Sequence, residues 1–398
     1  MDSLTHLVAG ALTPLAFRNT PRRAAVLGFG IAAGELPDID VVLGNSPEVL
    51  LTVHRGITHA LVLQPLLVLL VLLPFWFWLR RRPAGAAPPL KAPGSAAGSQ
   101  GYGFGTAYLT ALVCVYTHIY LDCMTTFGTM ALLPFSSTRL EFPAMFIVDL
   151  LMTLPAMGFC IAAWRQKASF APATGTGAGA NPAAATPLFS ARARRIARLG
   201  LAWVLLYPLA ALGVNHLAAA RLAPALTGKQ PERQLQLLTE PFSPLYWKAV
   251  VDEGDSYLMG RVSLLDRPES ASGMRRYAKV DRALYESLKG QQRFFGHFEN
   301  FCPTMVLLEA REPDRSTLST EADKPAAPAQ GSEWAREYAF ADLRYVASPD
   351  GIMTSLGRGE PMFVLEARVN ASGKLLAYRF LKNADEKDSP WTEQEADK

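Results

Sequence analysis

The chain has 398 residues and a formal net charge of +4, with half of its residues apolar and 19% charged. Charges are scarce before residue 220 and frequent from about Thr227 onward, which predicts a membrane domain followed by a water-soluble one. The basic residues form short clusters between apolar runs, so a nucleic-acid partner is not expected. The four cysteines contain no CxxC spacing, which excludes a zinc knuckle and gives no disulfide framework.

About six apolar segments are predicted to form an α-helical membrane domain over residues 1–220. The clearest is 60–79, because twenty uncharged residues at helical rise cover a hydrocarbon core of about 30 Å. It ends in an aromatic run followed by Arg80, as expected where a helix leaves the bilayer. The other segments are residues 4–17, 24–34, 105–121, 144–164 and 198–219. The first two are short, and we expect them to form one in-and-out pair.

The loops between these segments alternate in charge. Residues 18–23, 80–105 and 165–198 carry 3, 4 and 6 Lys/Arg and no acidic residue, whereas 35–58 and 122–149 carry two Arg against seven Asp/Glu. The positive-inside rule places the basic loops in the cytoplasm. We therefore expect a multi-pass protein of the bacterial inner (plasma) membrane with a periplasmic C-terminal domain. The linkers at about 80–104 and 165–196 are rich in Ala, Gly, Pro and Ser, which predicts disorder.

Short polar motifs that contain histidine and aspartate interrupt the apolar region before residue 220. Each lies at the end of a segment that the charge pattern places outside, and none lies in a basic loop. This convergence predicts one site at the outer mouth of the bundle. The candidate residues are His6, Asp38, Asp40, His54, His59, His118, Asp122 and Asp149.

The residue types favour a metal site. His118 and Asp122 are four residues apart and would share one helix face, and imidazole with carboxylate suits zinc, manganese or iron. We expect one or two divalent ions, zinc first and manganese second, and favour two because the donors exceed one tetrahedral shell. For His6 alone, a hydrogen-bonded core histidine is the alternative.

The same residues suggest a reaction. Two ions could bind a phosphoryl oxygen and activate a water molecule. Arg55 could offer charge to a phosphate, and either Asp122 or Asp149 is expected to be the general base. Asp149 has an equally good alternative role as an acid stabilised by the dipole at a helix N-terminus.

The words MDSLTH, LPDID, HRGITH and HIYLDCMTTFGT, in this order on apolar segments, resemble the YdjM/YbcI family. The family comprises LexA-binding, inner-membrane-associated metal-dependent hydrolases, and the resemblance covers about residues 1–154. It implies an inner-membrane hydrolase. A fainter similarity to zinc-dependent phospholipases C and all-α nucleases implies a phosphodiester substrate. The metal ligands implied by the family resemblance are His6, Asp38, Asp40, His54, His59, His118 and Asp122.

Residues 221–398 are expected to form a soluble α+β domain that caps the bundle or recognises substrate. Residues 246–265, 337–345 and 362–380 are predicted strands, with a hairpin turn at 370–373. Residues 276–299 are a predicted helix, 312–333 a mobile excursion, and 382–398 a frayed end. No nucleophile, phosphate loop or ligand cluster is evident in the sequence of this half.

Together these patterns predict a membrane-bound metal-dependent hydrolase that acts on a small-molecule or lipid-linked phosphoester at the periplasmic face, among membrane lipids. One alternative is a transport or sensing protein, which would need polar groups at several depths, whereas they cluster at one mouth. Another is a regulatory protein whose metal shell is structural and saturated. The sequence does not indicate an oligomeric state.

Overall fold

The computed structural model describes residues 1–17, 20–22, 24–43, 46–80, 102–170, 187–228, 232–241, 243–265, 273–313, 334–383, 386 and 388–394. The chain divides into two compact units. The first comprises Met1–Gly44, Val53–Asn215 and Pro241–Pro244, and the second comprises Asn45–Thr52, His216–Glu240 and Leu245–Lys398.

The first unit is mainly helical. In chain order the helices are α1 (Ser3–Ala16), α2 (Ala24–Gly34), α3 (Pro47–Thr52, in the second unit), α4 (Gln64–Arg80), α5 (Phe104–Cys123), α6 (Leu150–Trp164) and α7 (Ala191–Leu226, which enters the second unit). Short 3-10 turns cover Pro37–Leu43, Ile57–His59 and Leu61–Leu63, and β1 (Ala168–Phe170) pairs antiparallel with β2 (Pro187–Phe189). The linker predicted at 165–196 therefore contains two strands and the start of α7, while most of the linker predicted at 80–104 lies outside the described residues.

α1 and α2 pack closely because glycines line their interface. A Cβ on Gly30 would lie 2.4 Å from the Gly10 carbonyl oxygen, and one on Gly34 would lie 3.0 Å from the His6 carbonyl oxygen. Small residues spaced four apart let apolar helices approach each other in a membrane. This packing brings His6, in the first turn of α1, level with the end of α2.

Two described helices, α5 and α7, are long and apolar enough to cross a membrane. Pro47–His59 and Leu61–Phe77, which meet at 47°, add a third span if the bent pair counts as one. α1, α2 and α6 have 14, 11 and 15 residues, fewer than the about 20 that a span needs.

The prediction of about six membrane segments is therefore not supported. Apolar length in the sequence overstates helix length at two places. The predicted segment 60–79 begins with a 3-10 turn, and the helix within 144–164 begins only at Leu150.

The second unit is rich in β-sheet. β3 (Gln234–Thr239), β4 (Tyr246–Asp252), β5 (Ser256–Ser263) and β6 (Arg275–Ala278) form a four-stranded antiparallel sheet in chain order. β7 (Met305–Arg311), β8 (Arg336–Asp342), β9 (Met362–Val369), β10 (Leu375–Asn383) and β11 (Thr392–Glu393) form a five-stranded antiparallel sheet in the order β11-β10-β9-β8-β7. α8 (Arg282–Gln291) and α9 (Arg293–Phe301) connect the sheets, and a 3-10 turn (Leu343–Tyr345) and α10 (Ile352–Ser355) follow β8. Val250, Met259, Val306 and Val364 belong to a core that both sheets share.

Three sequence predictions in this unit are corrected. The predicted strand 246–265 is the hairpin of β4 and β5, which turns at Gly254 with φ 92°. The predicted helix 276–299 contains most of β6 before α8 and α9. The strand predicted at 337–345 ends at Asp342 in a 3-10 turn.

The hairpin turn at 370–373 is confirmed, since Asn370 N–H donates to the Lys374 carbonyl at 3.0 Å between β9 and β10. The excursion predicted at 312–333 lies, from residue 314, outside the described residues. The end predicted to be frayed, 382–398, contains β11 (Thr392–Glu393), which pairs with β10, so that prediction is wrong for this part, and from residue 395 the end lies outside the described residues.

Candidate metal centre

Four side chains from three elements converge beside the end of α5. Asp38 lies in the 3-10 turn after α2, His59 ends the turn Ile57–His59, and His118 and Asp122 share one face of α5. One ligand atom from each lies within 4.8 Å of the others. The side chains of His59, His118 and Asp122 are fully buried, whereas that of Asp38 is 22% exposed. We call Asp38, His59, His118 and Asp122 the four-residue group.

The distances between these atoms match those of a filled coordination shell. His59 Nε2 lies 3.3 Å from Asp38 Oδ1, 3.3 Å from Asp122 Oδ2 and 3.3 Å from His118 Nε2. His118 Nε2 lies 3.4 Å from each of the same two carboxylate oxygens. A tetrahedral zinc ion with bonds of about 2.0–2.1 Å separates its ligands by about 3.3–3.4 Å. Five of the six ligand-to-ligand distances therefore agree with a tetrahedral shell.

Hydrogen bonds on the outer side of each imidazole orient its inner nitrogen. His118 Nδ1 donates to the Gly34 carbonyl oxygen at 2.7 Å. In the neutral ring the proton is therefore on Nδ1, and Nε2 carries the lone pair. The Thr58 hydroxyl donates to Asp40 at 2.9 Å, so it accepts from His59 Nδ1 at 3.1 Å. The two imidazole lone pairs then face two carboxylate oxygens in a buried space. This arrangement requires a positive charge between the four atoms, supplied either by protons or by a metal ion. The donor set fits a divalent ion such as zinc.

A second group of three residues, Asp38, Asp40 and His54, shares Asp38 with the first. His54 Nδ1 lies 3.1 Å from Asp40 Oδ1, while Asp40 Oδ2 accepts the backbone N–H of Arg55 at 3.0 Å. Three protein donors leave a tetrahedral position open, unlike the four of the first group. The His54 side chain is 18% exposed, so the three-residue group lies on the more open side of the site.

Both aspartates of the 3-10 turn are held in the ionised form. Burial alone would raise the pKa of Asp38, but His118 and His59, whose Nε2 atoms lie 3.4 and 3.3 Å from its Oδ1 and donate to it when the rings are protonated, outweigh burial and hold the pKa below its usual range. Burial acts in the same direction on Asp40, where hydrogen bonding to His54 outweighs it and lowers the pKa. Ionised carboxylates are the form that binds metal ions.

Arg55 neutralises Asp122 in the buried site. Its Nη2 lies 3.1 Å from Asp122 Oδ1, and its guanidinium lies 4.6 Å from the centre of the Phe127 ring. The Arg55 backbone has φ 56°, a left-handed conformation that is uncommon for a non-glycine residue and persists only when the surroundings hold it. One such restraint is the Met130 N–H, which donates to the Arg55 carbonyl at 2.9 Å.

His6 lies against the four-residue group. Its ring stacks on His118 with centroids 3.6 Å apart, and its Nε2 lies 3.3 Å from Asp122 Oδ1, which the amino group of Met1 also contacts. Among the described residues, neither His6 ring nitrogen nor Asp122 Oδ2 has a hydrogen-bond partner, although all three atoms are buried. Such atoms are rare in proteins, and their position beside the convergent donors agrees with a site built for an ion.

Asp149 is not brought into either group. It caps α6 by accepting the Met152 N–H at 3.0 Å, and the Tyr207 hydroxyl donates to its two carboxylate oxygens at 3.0 and 3.2 Å. Burial raises the pKa of Asp149. Of the two roles that the sequence leaves open for Asp149, this geometry supports the helix cap rather than the general base.

Three further groups support the site without having been indicated by the sequence. The Gly34 carbonyl orients His118, as described above. Gln64 Nε2 donates to the Thr58 carbonyl at 2.7 Å, which holds the chain at the break before α4. Arg139 Nη2 donates to the His54 carbonyl at 3.2 Å. The available signal for Gln64 was its place as a single polar residue in the apolar run 60–79.

A helical unit with apolar spans and a buried Asp/His cluster defines a membrane protein that could bind a metal ion. The model of the YdjM inner membrane protein family matches residues 1–220. That match covers more than half of the chain, so the chain belongs to this family, and the resemblance seen in its sequence words is confirmed. No curated protein and no solved structure matches the chain.

Proposed function

We propose that the chain is a membrane-bound metal-dependent hydrolase that cleaves a phosphoester at the periplasmic face of the inner membrane. The observation that carries the proposal is the set of five distances of 3.3–3.4 Å within the four-residue group. They match the ligand spacing of a tetrahedral zinc ion, about 3.3–3.4 Å. Manganese is the alternative ion, because all of the donors are imidazole or carboxylate groups.

The three-residue group would supply the reactive position. Four protein ligands fill a tetrahedral ion, but Asp38, Asp40 and His54 would leave a second ion open to water or substrate. A divalent ion there would polarise a phosphoryl oxygen and lower the pKa of a water molecule toward neutrality. The exposed parts of Asp38 and His54, at 22% and 18%, put this position on the accessible side.

The roles of Arg55 and Asp122 follow from their contacts. Asp122 is assigned to metal binding, since its Oδ2 faces both His59 and His118 at 3.3 and 3.4 Å. Arg55 balances its charge, and binding a phosphate would require the guanidinium to turn from that carboxylate. A general-base role for Asp149 would require its release from Tyr207. The Asp149→Asn variant is therefore expected to keep both metal content and hydrolysis, because asparagine is an equally good helix cap.

The charge pattern supports a periplasmic site. α4 ends at Arg80, two further arginines come next in the sequence, and four arginines fall within residues 192–198 in the first two turns of α7. The positive-inside rule puts these helix ends in the cytoplasm. The opposite end of α5, which carries Asp122, then faces the periplasm, and so does the end of α7 that leads into the second unit.

Metal content and hydrolysis of detergent-purified full-length protein test the proposal. After zinc or manganese supplementation, plasma mass spectrometry is expected to find about two equivalents in the wild type and about one in His54→Ala. The His59→Ala/His118→Ala variant should lose the four-residue site, and both variants should lose hydrolysis of bis(p-nitrophenyl) phosphate. His297→Ala, on α9 of the second unit, is the matched control and should behave as wild type. A folded wild type that stays metal-free after supplementation would contradict the proposal.

A regulatory membrane protein with a structural metal site is the second candidate. The saturation of the four-residue group favours it, because structural zinc sites are closed whereas catalytic ones keep an open position. It predicts about one equivalent of metal, no hydrolysis, and no change of metal content in His54→Ala. The metal stoichiometry of His54→Ala therefore separates the two candidates.

A further inference from the structure

The open side of the site is bordered by exposed apolar side chains. Ile39 lies between Asp38 and Asp40, and Ile57 lies two residues before His59. Val42 and Phe135 are each 83% exposed. We call this set the apolar rim, and its members are Ile39, Val42, Ile57, Leu132 and Phe135, all exposed.

Hydrogen bonds connect the three segments of the rim to the site. Asp40, in the turn that carries Ile39 and Val42, accepts from Arg55 N–H and from Thr58 Oγ1, on either side of Ile57. The segment that carries Leu132 and Phe135 is joined to the same loop. In that segment Met130 N–H donates to the Arg55 carbonyl at 2.9 Å, and Leu61 N–H donates to the Ala131 carbonyl at 3.0 Å.

The rim also lies near the end of a candidate membrane span. Asp122 is one residue from the end of α5, a candidate span of 20 residues, and Ile57 follows Arg55, whose guanidinium contacts Asp122. At the end of a span, apolar side chains would lie at the boundary between hydrocarbon and headgroups rather than in bulk water. Exposed apolar residues on neighbouring segments beside a polar site are suited to bind an apolar group.

We infer that the substrate is a membrane-borne amphiphile, a phosphoester with a long alkyl or acyl chain. The chain lies against the apolar rim while the phosphoester reaches the exposed edge of Asp38 and His54. This assignment rests on the proposed phosphoester chemistry and adds the substrate class. It also accounts for the order of residues in the turn Pro37–Leu43, where carboxylates directed into the site alternate with exposed Ile39 and Val41.

Binding of two phosphonates, which cannot be hydrolysed as esters, tests the inference independently of turnover. Methylphosphonate and decylphosphonate share a headgroup and differ in chain length. Their affinities are measured by titration calorimetry on zinc-loaded full-length protein in nanodiscs of digalactosyl diacylglycerol, a lipid without phosphate that cannot compete as a phosphoester, with empty nanodiscs subtracted. The wild type is expected to bind decylphosphonate at least about tenfold more tightly, because the buried methylenes contribute to binding.

The variant Val42→Ser/Ile57→Ser removes the apolar contact from two rim segments. It should bind both phosphonates with similar affinity, while its zinc content and its affinity for methylphosphonate stay at wild-type values. Leu199→Ser is the matched control. Leu199 is exposed, and its neighbour Arg198 donates to the Ala16 carbonyl at 3.1 Å. Ala16 lies ten residues along α1 from His6, about 15 Å at helical rise.

Three results would overturn the inference: a rim variant that keeps the full chain-length advantage, a wild type that shows none, or a wild type that binds neither phosphonate. Failure of the proposed function has a different signature. It would be zinc-loaded protein that binds decylphosphonate and yet does not hydrolyse bis(p-nitrophenyl) phosphate.

Discussion

Both units bury charged side chains, but they differ in whether the protein itself supplies the hydrogen-bond partners of those charges. In the second unit, Asp342 accepts from the Thr304 hydroxyl at 2.6 Å and from the Arg344 N–H at 2.7 Å. Lys248 donates to the carbonyls of Leu343 and Arg344 at 2.9 and 3.1 Å. In the first unit, the inner atoms of the four-residue group face one another, so lone pairs meet carboxylates.

The comparison separates a structural network from a ligand site. Buried charges that are hydrogen-bonded by the protein's own groups hold one conformation without a bound ion. Convergent donors that cannot satisfy one another are stable only with a cation among them. The first pattern belongs to Asp342 and Lys248, and the second to Asp122 and its neighbours.

The largest expected effect is the loss of metal affinity in Asp122→Asn. This substitution keeps the shape of the side chain but removes the negative charge that faces His59 and His118. Zinc affinity should fall by more than about 100-fold, beyond the 10–100-fold typical of losing an outer-shell partner. Competition with a zinc-binding dye on full-length protein measures it. Asp342→Asn is the control. Equal losses of zinc affinity in the two variants would contradict the distinction between a structural network in the second unit and a ligand site in the first.

The next effect is loss of stability in Asp342→Ala. The substitution leaves Arg344, whose Nε lies 3.1 Å from Asp342 Oδ2, and the Thr304 hydroxyl without this acceptor. Breaking a buried ionic network costs about 3–5 kcal/mol, which should appear as a lower thermal midpoint of the second unit. Zinc content should stay at the wild-type value. A variant with unchanged stability would show that this network does not hold the second unit together.

The members of the candidate site could be predicted from the sequence. The backbone path that brings them together was harder to predict. The words around His59, His118 and Asp122 placed polar groups at helix ends, a pattern local to each segment. The break before α4 could not be read in the same way. The start of α4 depends on the Gln64 side chain, which bonds the Thr58 carbonyl, whereas the apolar composition from residue 60 onward indicates an uninterrupted helix from that residue.

Long-range partners explain the remaining differences. The Tyr207 hydroxyl, 58 residues further along the chain, donates to Asp149 in addition to the local cap at Met152. The tautomer of His118 is set by the Gly34 carbonyl, 84 residues earlier. Composition and periodicity carry no information on contacts of this range. The split of 246–265 into two strands is the exception, because its cause is local: the turn is formed by Asp252, Glu253, Gly254 and Asp255, a polar stretch that the sequence does show.

A smaller effect on metal affinity is expected where the packing of two helices supports the candidate metal site. In Gly30→Ala the new Cβ would lie 2.4 Å from the Gly10 carbonyl oxygen, so α2 must move away from α1. The Gly34 carbonyl at the end of α2 should move with it and weaken its bond to His118. Zinc affinity should fall by about 10-fold, the lower end of the range for an outer-shell partner. Gly28→Ala, where a Cβ meets nothing within 4 Å, should keep wild-type affinity, and a similar loss in both variants would refute the packing argument.

The smallest effect concerns the pH dependence of stability that Lys248 confers on the second unit. Burial lowers the pKa of Lys248 from 10.5 to about 8 in the folded protein. Between about pH 8 and 10.5 the unfolded chain therefore binds more protons at this residue than the folded one does, so stability rises with pH over that window. Below pH 8 the full penalty for burying the charged form is present. The Lys248→Met variant lacks this titration, so the thermal midpoint of the wild type minus that of the variant should increase from pH 7.5 to pH 9.5. If the thermal midpoints of the wild type and of Lys248→Met changed in parallel with pH, the two carbonyl acceptors would compensate the buried charge completely. The contrast between the two units would then hold for Lys248 without any electrostatic penalty in the second unit.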